Sequence, residues 1–243
     1  MTSAIPHWLD RTELLIGTEG LKRLMQAHVL VAGLGGVGGY AAEQLARAGI
    51  GTLTIIDGDT VNETNRNRQI IALQSTDKMS KTDVMSARLK DINPEIRLYV
   101  INEFIRDQKM IDILEQKYDY VIDAIDTLSP KLFFIYHSVT KGHRLISSMG
   151  AGGKFDPAKV MVCDISQSYN CRLAFYIRKH LHRMKIYDGF DVVFSPERVS
   201  KTVVREITGE TNKRTTVGTI SYMPPVFGCM CASVVIRYLL AQR

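Results

Sequence analysis

The chain has 243 residues, 45% of them hydrophobic, and a formal net charge of +6. That is enough apolar material for one good-sized core with a small appended region. No internal repeat or low-complexity tract is present, which excludes a solenoid or a tail-like chain. Residues 1–171 hold 19 Lys/Arg against 20 Asp/Glu and residues 172–243 hold 12 against 5, so the positive excess, and with it a pI near 9.1, comes from the last third.

His28 to Ala32 is a short apolar strand, and Gly36 to Gly49 reads as a helix carrying Ala41, Ala42, Leu45 and Ala48. Gly33, Gly35 and Gly38, with Gly36 between them, fall in the G-x-G-x-x-G register at a strand-to-helix turn. Glycine there permits a tight turn, close approach of phosphate to backbone N–H groups and close helix–strand packing. The helix N-terminus adds partial positive charge. The next strand, Thr52 to Ile56, ends at Asp57, 19 positions after Gly38, where a ribose hydroxyl partner is expected. A merely structural glycine turn is the competing reading, and the strand-loop-helix-strand-acid order favours a nucleotide.

Asp59, Asn62, Asn65, Arg66, Asn67, Arg68 and Gln69 follow, and Lys81 opens the next helix. A nicotinamide cofactor does not need such a run. ATP, with about four negative charges and chemistry done by positioning and cations, does. Ile96 to Ile101 is a third strand, Gln108 to Gln116 a helix, and Tyr118 to Ala124 a fourth strand leading into Asp123-Ala124-Ile125-Asp126. A carboxylate at the carboxyl edge of a parallel sheet is placed to hold Mg²⁺, and Asp126 is the residue assigned that task. Asp123 is read as a strand-end cap. Pro130 to Lys141 is a helix, Leu145 to Ser148 a fifth strand, and Val160 to Ile165 another. The alternation predicts an α/β fold with a doubly wound, mostly parallel sheet. Gly150 to Gly153 would let a bulky base approach the backbone, or would be a plain flexible turn.

Arg172 to Lys185 carries Arg172, Arg178, Lys179, Arg183 and Lys185 with no acid, on a helix whose Phe175, Ile177, Leu181, Met184 and Tyr187 mark an apolar side. A nucleic-acid contact, a solvated face and a membrane-surface helix are the three readings. A solvated face usually mixes signs, which favours phosphate contacts. Val192 to Ser195, Thr202 to Glu206 and Thr215 to Val217 read as short, antiparallel additions, with a polar mobile loop at 206–214. Tyr222-Met223-Pro224-Pro225 breaks the chain before a final apolar helix, Val226 to Leu240, shorter than a membrane span. It reads as packed on the sheet or in a dimer interface, with peripheral membrane contact as the alternative. Cys163, Cys171, Cys229 and Cys231 form no Cys-x-x-Cys pair, which argues against structural zinc. Cys229 and Cys231 read as core, and Cys171 is the first candidate if any cysteine is catalytic. Free thiols without a signal-peptide pattern point to the cytoplasm.

Gly-x-Gly-Gly-x-Gly, Asp57, Asn65-x-x-Arg68-Gln69, Lys81 and Asp126, in that order, resemble the adenylating domain of ubiquitin-activating-type enzymes, a superfamily that includes bacterial adenylyltransferases of molybdopterin and thiamine biosynthesis. The resemblance implies a Rossmann-like domain over 1–243, with a nucleotide-binding core at 1–160 and a basic substrate-binding extension at 161–243. It implies that Arg68 and Lys81 contact the ATP phosphates, Asp57 the ribose and Asp126 Mg²⁺, while Asn65 and Gln69 line the pocket. Arg11, otherwise a solvated charge, would reach the phosphates of a homodimer partner. Ser148-Met149-Gly150-Ala151-Gly152-Gly153, Asp156-Pro157 and Asp191-Val192-Val193-Phe194-Ser195 are similar to the branch that dehydrates threonylcarbamoyladenosine in tRNA. That branch implies adenylation of the threonine carboxylate and ring closure within the modification, with Gly152 and the basic helix at the tRNA and a sulfur-relay helper protein as a further partner. The alternative is adenylation of a ubiquitin-like carrier's terminal glycine, disfavoured by the missing zinc pairs and the basic last third.

Overall fold

The computed structural model describes residues 5–206 and 215–242. The loop expected at 206–214 thus lies almost wholly outside the described residues. In chain order the main elements are α1 (Asp10–Gln26), β1 (His28–Ala32), α2 (Gly38–Arg47), β2 (Thr52–Ile56), α3 (Lys81–Ile92), β3 (Arg97–Ile101), α4 (Asp107–Glu115), β4 (Tyr120–Asp123), α5 (Leu128–Thr140), β5 (Leu145–Ser148), β6 (Met161–Asp164), α6 (Arg172–Arg183), β7 (Asp191–Phe194), β8 (Val204–Glu206), β9 (Thr215–Val217) and α7 (Met223–Ala241). Seven strands form one sheet in the order β3-β2-β1-β4-β5-β7-β6, parallel except for β6, which runs antiparallel to β7. β8 and β9 form a separate antiparallel pair.

β1 shows why both faces must be covered. Val29 and Val31 enter one apolar cluster with residues of α1, α2, α3 and α7; Leu30 and Ala32 enter a second with residues of α4, α5 and α6. Strands buried on two faces read as near-continuous apolar runs, as β1 and β4 do, and β2 carries buried Thr54 among its apolar residues. The expected doubly wound α/β architecture is therefore present. Strand order reverses between β1 and β4, the place where open α/β sheets bind ligands at the carboxyl ends of their strands.

Several expectations change. Val192 to Ser195 was expected as an antiparallel addition, but β7 joins the main sheet parallel to β5. Residues 161–243 are consequently woven into the sheet, through β6 and β7, rather than hung from it. Pro224 and Pro225 do not break the chain ahead of the last helix; they occupy its first turn. There the missing N–H costs no intrahelical bond and the fixed φ suits the helix. α7 is 19 residues long with mean hydropathy 1.5, enough to cross a membrane by length and composition, and half of it is buried in the molecule. Its Gly228 lies against α2, where a Cβ would come within 2.4 Å of the Val37 carbonyl oxygen. Cys231 is buried as expected, whereas Cys229 is exposed, because two positions on a helix face opposite sides.

Candidate nucleotide and substrate site

The glycine loop is built as its spacing required. Gly33 takes φ +90, and its added Cβ would stand 2.7 Å from the Ala124 carbonyl oxygen of the facing loop. A Cβ on Gly38 would overlap the Gly33 carbonyl oxygen at 1.7 Å, so α2 can approach β1 only through glycine. Gly36 faces Arg68 and Pro224, and Gly35 faces the Gln69 amide, whose Nε2 would lie 3.7 Å from an added Cβ.

Asp57, at the end of β2, accepts the Leu34 N–H through Oδ2 at 2.7 Å and the Asp59 N–H through Oδ1 at 2.8 Å. It therefore pins the glycine loop and retains lone pairs for a ligand hydroxyl. Burial pushes its carboxyl above the usual range, and Lys81 opposes that. Lys81, at the first position of α3, is buried, with Nζ 2.9 Å from Asp59 and 3.9 Å from Asp57. Ser80 caps that helix by accepting the Asp83 N–H.

Asn62 and Asn65 cap each other's backbone, and Asn65 O receives both the Arg68 and Gln69 N–H groups. That turn brings Arg68 to the crevice, where it donates to Thr64 O and Asn67 Oδ1. Burial lowers the Arg68 pKa from the usual arginine value, and the Asp126 carboxylate opposes the shift. Gln69 is buried, and among the described residues its Oε1 has no hydrogen-bond partner.

Asp123 has a structural task, as its sequence position suggested, and a larger one than capping. Its Oδ1 accepts the Ile125 N–H at 3.0 Å, while Oδ2 accepts from Ser147 Oγ at 2.6 Å and pairs with Lys131 Nζ at 2.7 Å. Lys131 also donates to Ile125 O. Both ionic side chains are 0% exposed. This buried knot ties β4, β5 and the start of α5 together beneath the loop that presents exposed Asp126. Sequence reading missed Lys131 because a lysine within an apolar helix gives no sign of its distant partner.

Across the crevice, Gly152 backs onto β9 and its following residues, where an added Cβ would meet Val217 and Thr219 at 3.2 Å. Asn67 Nδ2 donates to Thr219 O at 3.0 Å, joining the Arg68 turn to that segment. The start of α6 abuts the glycine run, with Leu173 Cβ 3.9 Å from the position a Gly150 Cβ would take. Arg172, Lys179 and Arg183 on α6 are exposed, as is Lys185 just beyond it. Arg178 differs: its guanidinium turns inward to Ser168 O at 2.8 Å and to Ile165 O. Cys171 is buried in the core rather than presented at the helix start. Arg11 is exposed on α1, outside the crevice residues just described. Among the described residues no group of three or more His, Cys, Asp or Glu could hold a metal ion.

Residues 9–243 match the ThiF family. The tRNA threonylcarbamoyladenosine dehydratase of Bacillus subtilis (strain 168) is 42% identical over 200 residues, covering 82% of this chain and 78% of that protein. The enzyme of the same name from Escherichia coli (strain K12) is 34% identical over 255 residues, covering 97% and 95%. The crystal structure of the E. coli dehydratase TcdA in complex with ATP matches with a TM-score of 0.86 at 34% identity, over 95% of this chain and 93% of that one. The glycine loop pinned by Asp57, the strand reversal at β1/β4 and a match running from residue 9 to residue 243 lead to one conclusion: this chain belongs to the ThiF family.

Proposed function

We propose that this chain is an ATP-dependent tRNA threonylcarbamoyladenosine dehydratase, acting as a single adenylating unit. The observation that carries the proposal is the abutment of basic helix α6 on the glycine run beside the nucleotide crevice. It supports the reading that phosphates of a nucleic-acid substrate carrying a carboxylate to activate meet the helix beside the nucleotide. The carboxylate oxygen of the threonine attacks the α-phosphorus, pyrophosphate leaves, and an acyl adenylate forms. A heteroatom of the same modification then attacks the acyl carbon, losing its proton as AMP departs. The net change in the nucleoside is loss of one water, whose oxygen ends in AMP. Ring closure is intramolecular, so the protein's share is alignment and charge neutralisation.

In this reading Arg68 and Lys81 neutralise the phosphates and Asp57 holds the ribose. Asn65 and Gln69 line the pocket, Gln69 beside the glycine loop. Asp126 fits Mg²⁺: one exposed carboxylate beside phosphates is how that ion is commonly held, largely by phosphate and water oxygens. Bound there, Mg²⁺ would neutralise phosphate charge. Arg11 serves a partner subunit in a homodimer. Leu14 and Leu15, on the same helix, are 87% and 85% exposed, an apolar face that a second copy would cover. The setting proposed is the cytoplasm.

The test is mass spectrometry of nucleosides from threonylcarbamoyl-modified tRNA after incubation with the protein, ATP and Mg²⁺, handled at mild pH. A modified adenosine lighter by one water, with AMP released, is the expected result. An unchanged nucleoside from protein that binds ATP, together with pyrophosphate exchange dependent on a carrier protein, would overturn the reading in favour of a carrier-protein adenylyltransferase.

A further inference from the structure

Phe155, just past the glycine run, is 69% exposed. Its backbone is nonetheless held on both sides. The Phe155 and Asp156 N–H groups donate to the Glu197 carboxylate at 3.2–3.3 Å, and that carboxylate is itself fixed by Ser195 Oγ at 2.9 Å. Lys154 Nζ donates to the Glu197 backbone oxygen. The Phe155 carbonyl accepts the Tyr222 hydroxyl at 2.8 Å, and the Tyr222 ring stands edge-to-face against Phe155 with centroids 6.0 Å apart. The Phe155 ring is thus open to solvent while its backbone and one ring edge are fixed by the chain.

The pair also sits at the crevice. Tyr222 immediately precedes α7, whose Pro224 packs on Gly36 of the phosphate loop, with 2.9 Å from Pro224 Cβ to an added Gly36 Cβ. On the other side the glycine run leads to the start of α6 and exposed Arg172. A flat apolar face between a nucleotide pocket and a basic helix fits an unstacked base of a single-stranded RNA loop: phosphates go to the helix and the ring to the aromatic.

We propose that Phe155, braced by Tyr222, is a stacking platform for an unpaired nucleobase of the RNA substrate. The inference rests on the dehydratase reading for the identity of that RNA. The experiment compares wild type, Phe155→Leu and Phe155→Tyr with a modified anticodon stem-loop. It reads KM for RNA, KM for ATP, RNA binding by fluorescence anisotropy, and oligomeric state by size-exclusion chromatography. Phe155→Leu keeps apolar bulk but lacks a π-face, and should raise the RNA KM and the dissociation constant by about tenfold, with the ATP KM within about twofold. Phe155→Tyr should restore both RNA values.

Equal RNA binding by wild type and Phe155→Leu would overturn the platform. So would a change in oligomeric state caused by Phe155→Leu, since the ring would then face a second copy. Failure of the wild type to dehydrate the stem-loop would sink the dehydratase reading instead, and the anisotropy comparison would still decide the platform.

Discussion

Lys131→Met is the most informative single change for the fold beneath the site. It leaves the Asp123 carboxylate wholly buried, with only Ser147 Oγ and the Ile125 N–H as donors. Removing one partner of a buried ion pair typically costs about 3–5 kcal/mol, because the remaining charge is uncompensated. The two surviving neutral donors favour the lower half of that range. For a chain of this size the melting temperature should fall by roughly 6–15 °C. Lys131→Met/Asp123→Asn removes both charges at similar volume and should regain most of the loss, giving a coupling energy of about 2 kcal/mol or more. Urea unfolding of the wild type, both single variants and the double variant measures it. A Lys131→Met variant within about 1 kcal/mol of wild type, or a double variant whose cost equals the sum of the singles, would refute the argument that this pair holds the Asp126 loop.

Lys81→Ala and Asp126→Ala should each reduce turnover by on the order of a hundredfold or more while circular dichroism stays native; full activity in either would remove that residue from the site. Mixing inactive Arg11→Ala with inactive Lys81→Ala should restore about a quarter of wild-type activity if Arg11 acts across a two-fold dimer, since half the dimers are mixed and each holds one intact site; no recovery would place Arg11 elsewhere. Lys179→Ala/Arg183→Ala should flatten the plot of log affinity for tRNA against log salt by about two units of slope, with ATP affinity preserved. Burial raises the Asp57 pKa, so between its unfolded and folded values the native state binds more protons than the unfolded state. Stability from this group is therefore present at low pH and is lost as pH rises through that window. The wild-type melting temperature should fall relative to Asp57→Asn as pH climbs upward from the ordinary carboxylate range, and parallel curves would contradict it.

The glycine loop was legible because each step leaves a local mark: an apolar strand, glycines where a Cβ would collide, and an acid closing the next strand. Helix α1 was not. Gly17, at φ 75, kinks it, and Gly20 is needed for packing, because a Cβ there would approach Leu240 to 3.1 Å. Both glycines look like loop signals, and only Gly20 has its reason in α7. β7 could be read as a strand but not placed, since four apolar residues do not say which neighbour they pair with. Arg178 looked like its basic neighbours, and only the position of Ser168 shows that it faces inward. Lys131 and Asp123 lie on different elements, so their pairing is a property of the sheet and not of any window of sequence.

Pro224 against Gly36, and Gly228 against Val37, mean that the glycine loop near residue 35 is completed by residues almost two hundred positions later. A ribosome synthesising this chain from the N-terminal side makes the glycine loop well before its buttress. The nascent first half therefore exposes the α2 face that α7 will cover, and that face stays open to wrong partners until synthesis has passed residue 241. Nucleotide affinity should consequently switch on late and abruptly in a series of chains lengthened from the N-terminus, and slow translation of the last third would prolong the vulnerable interval.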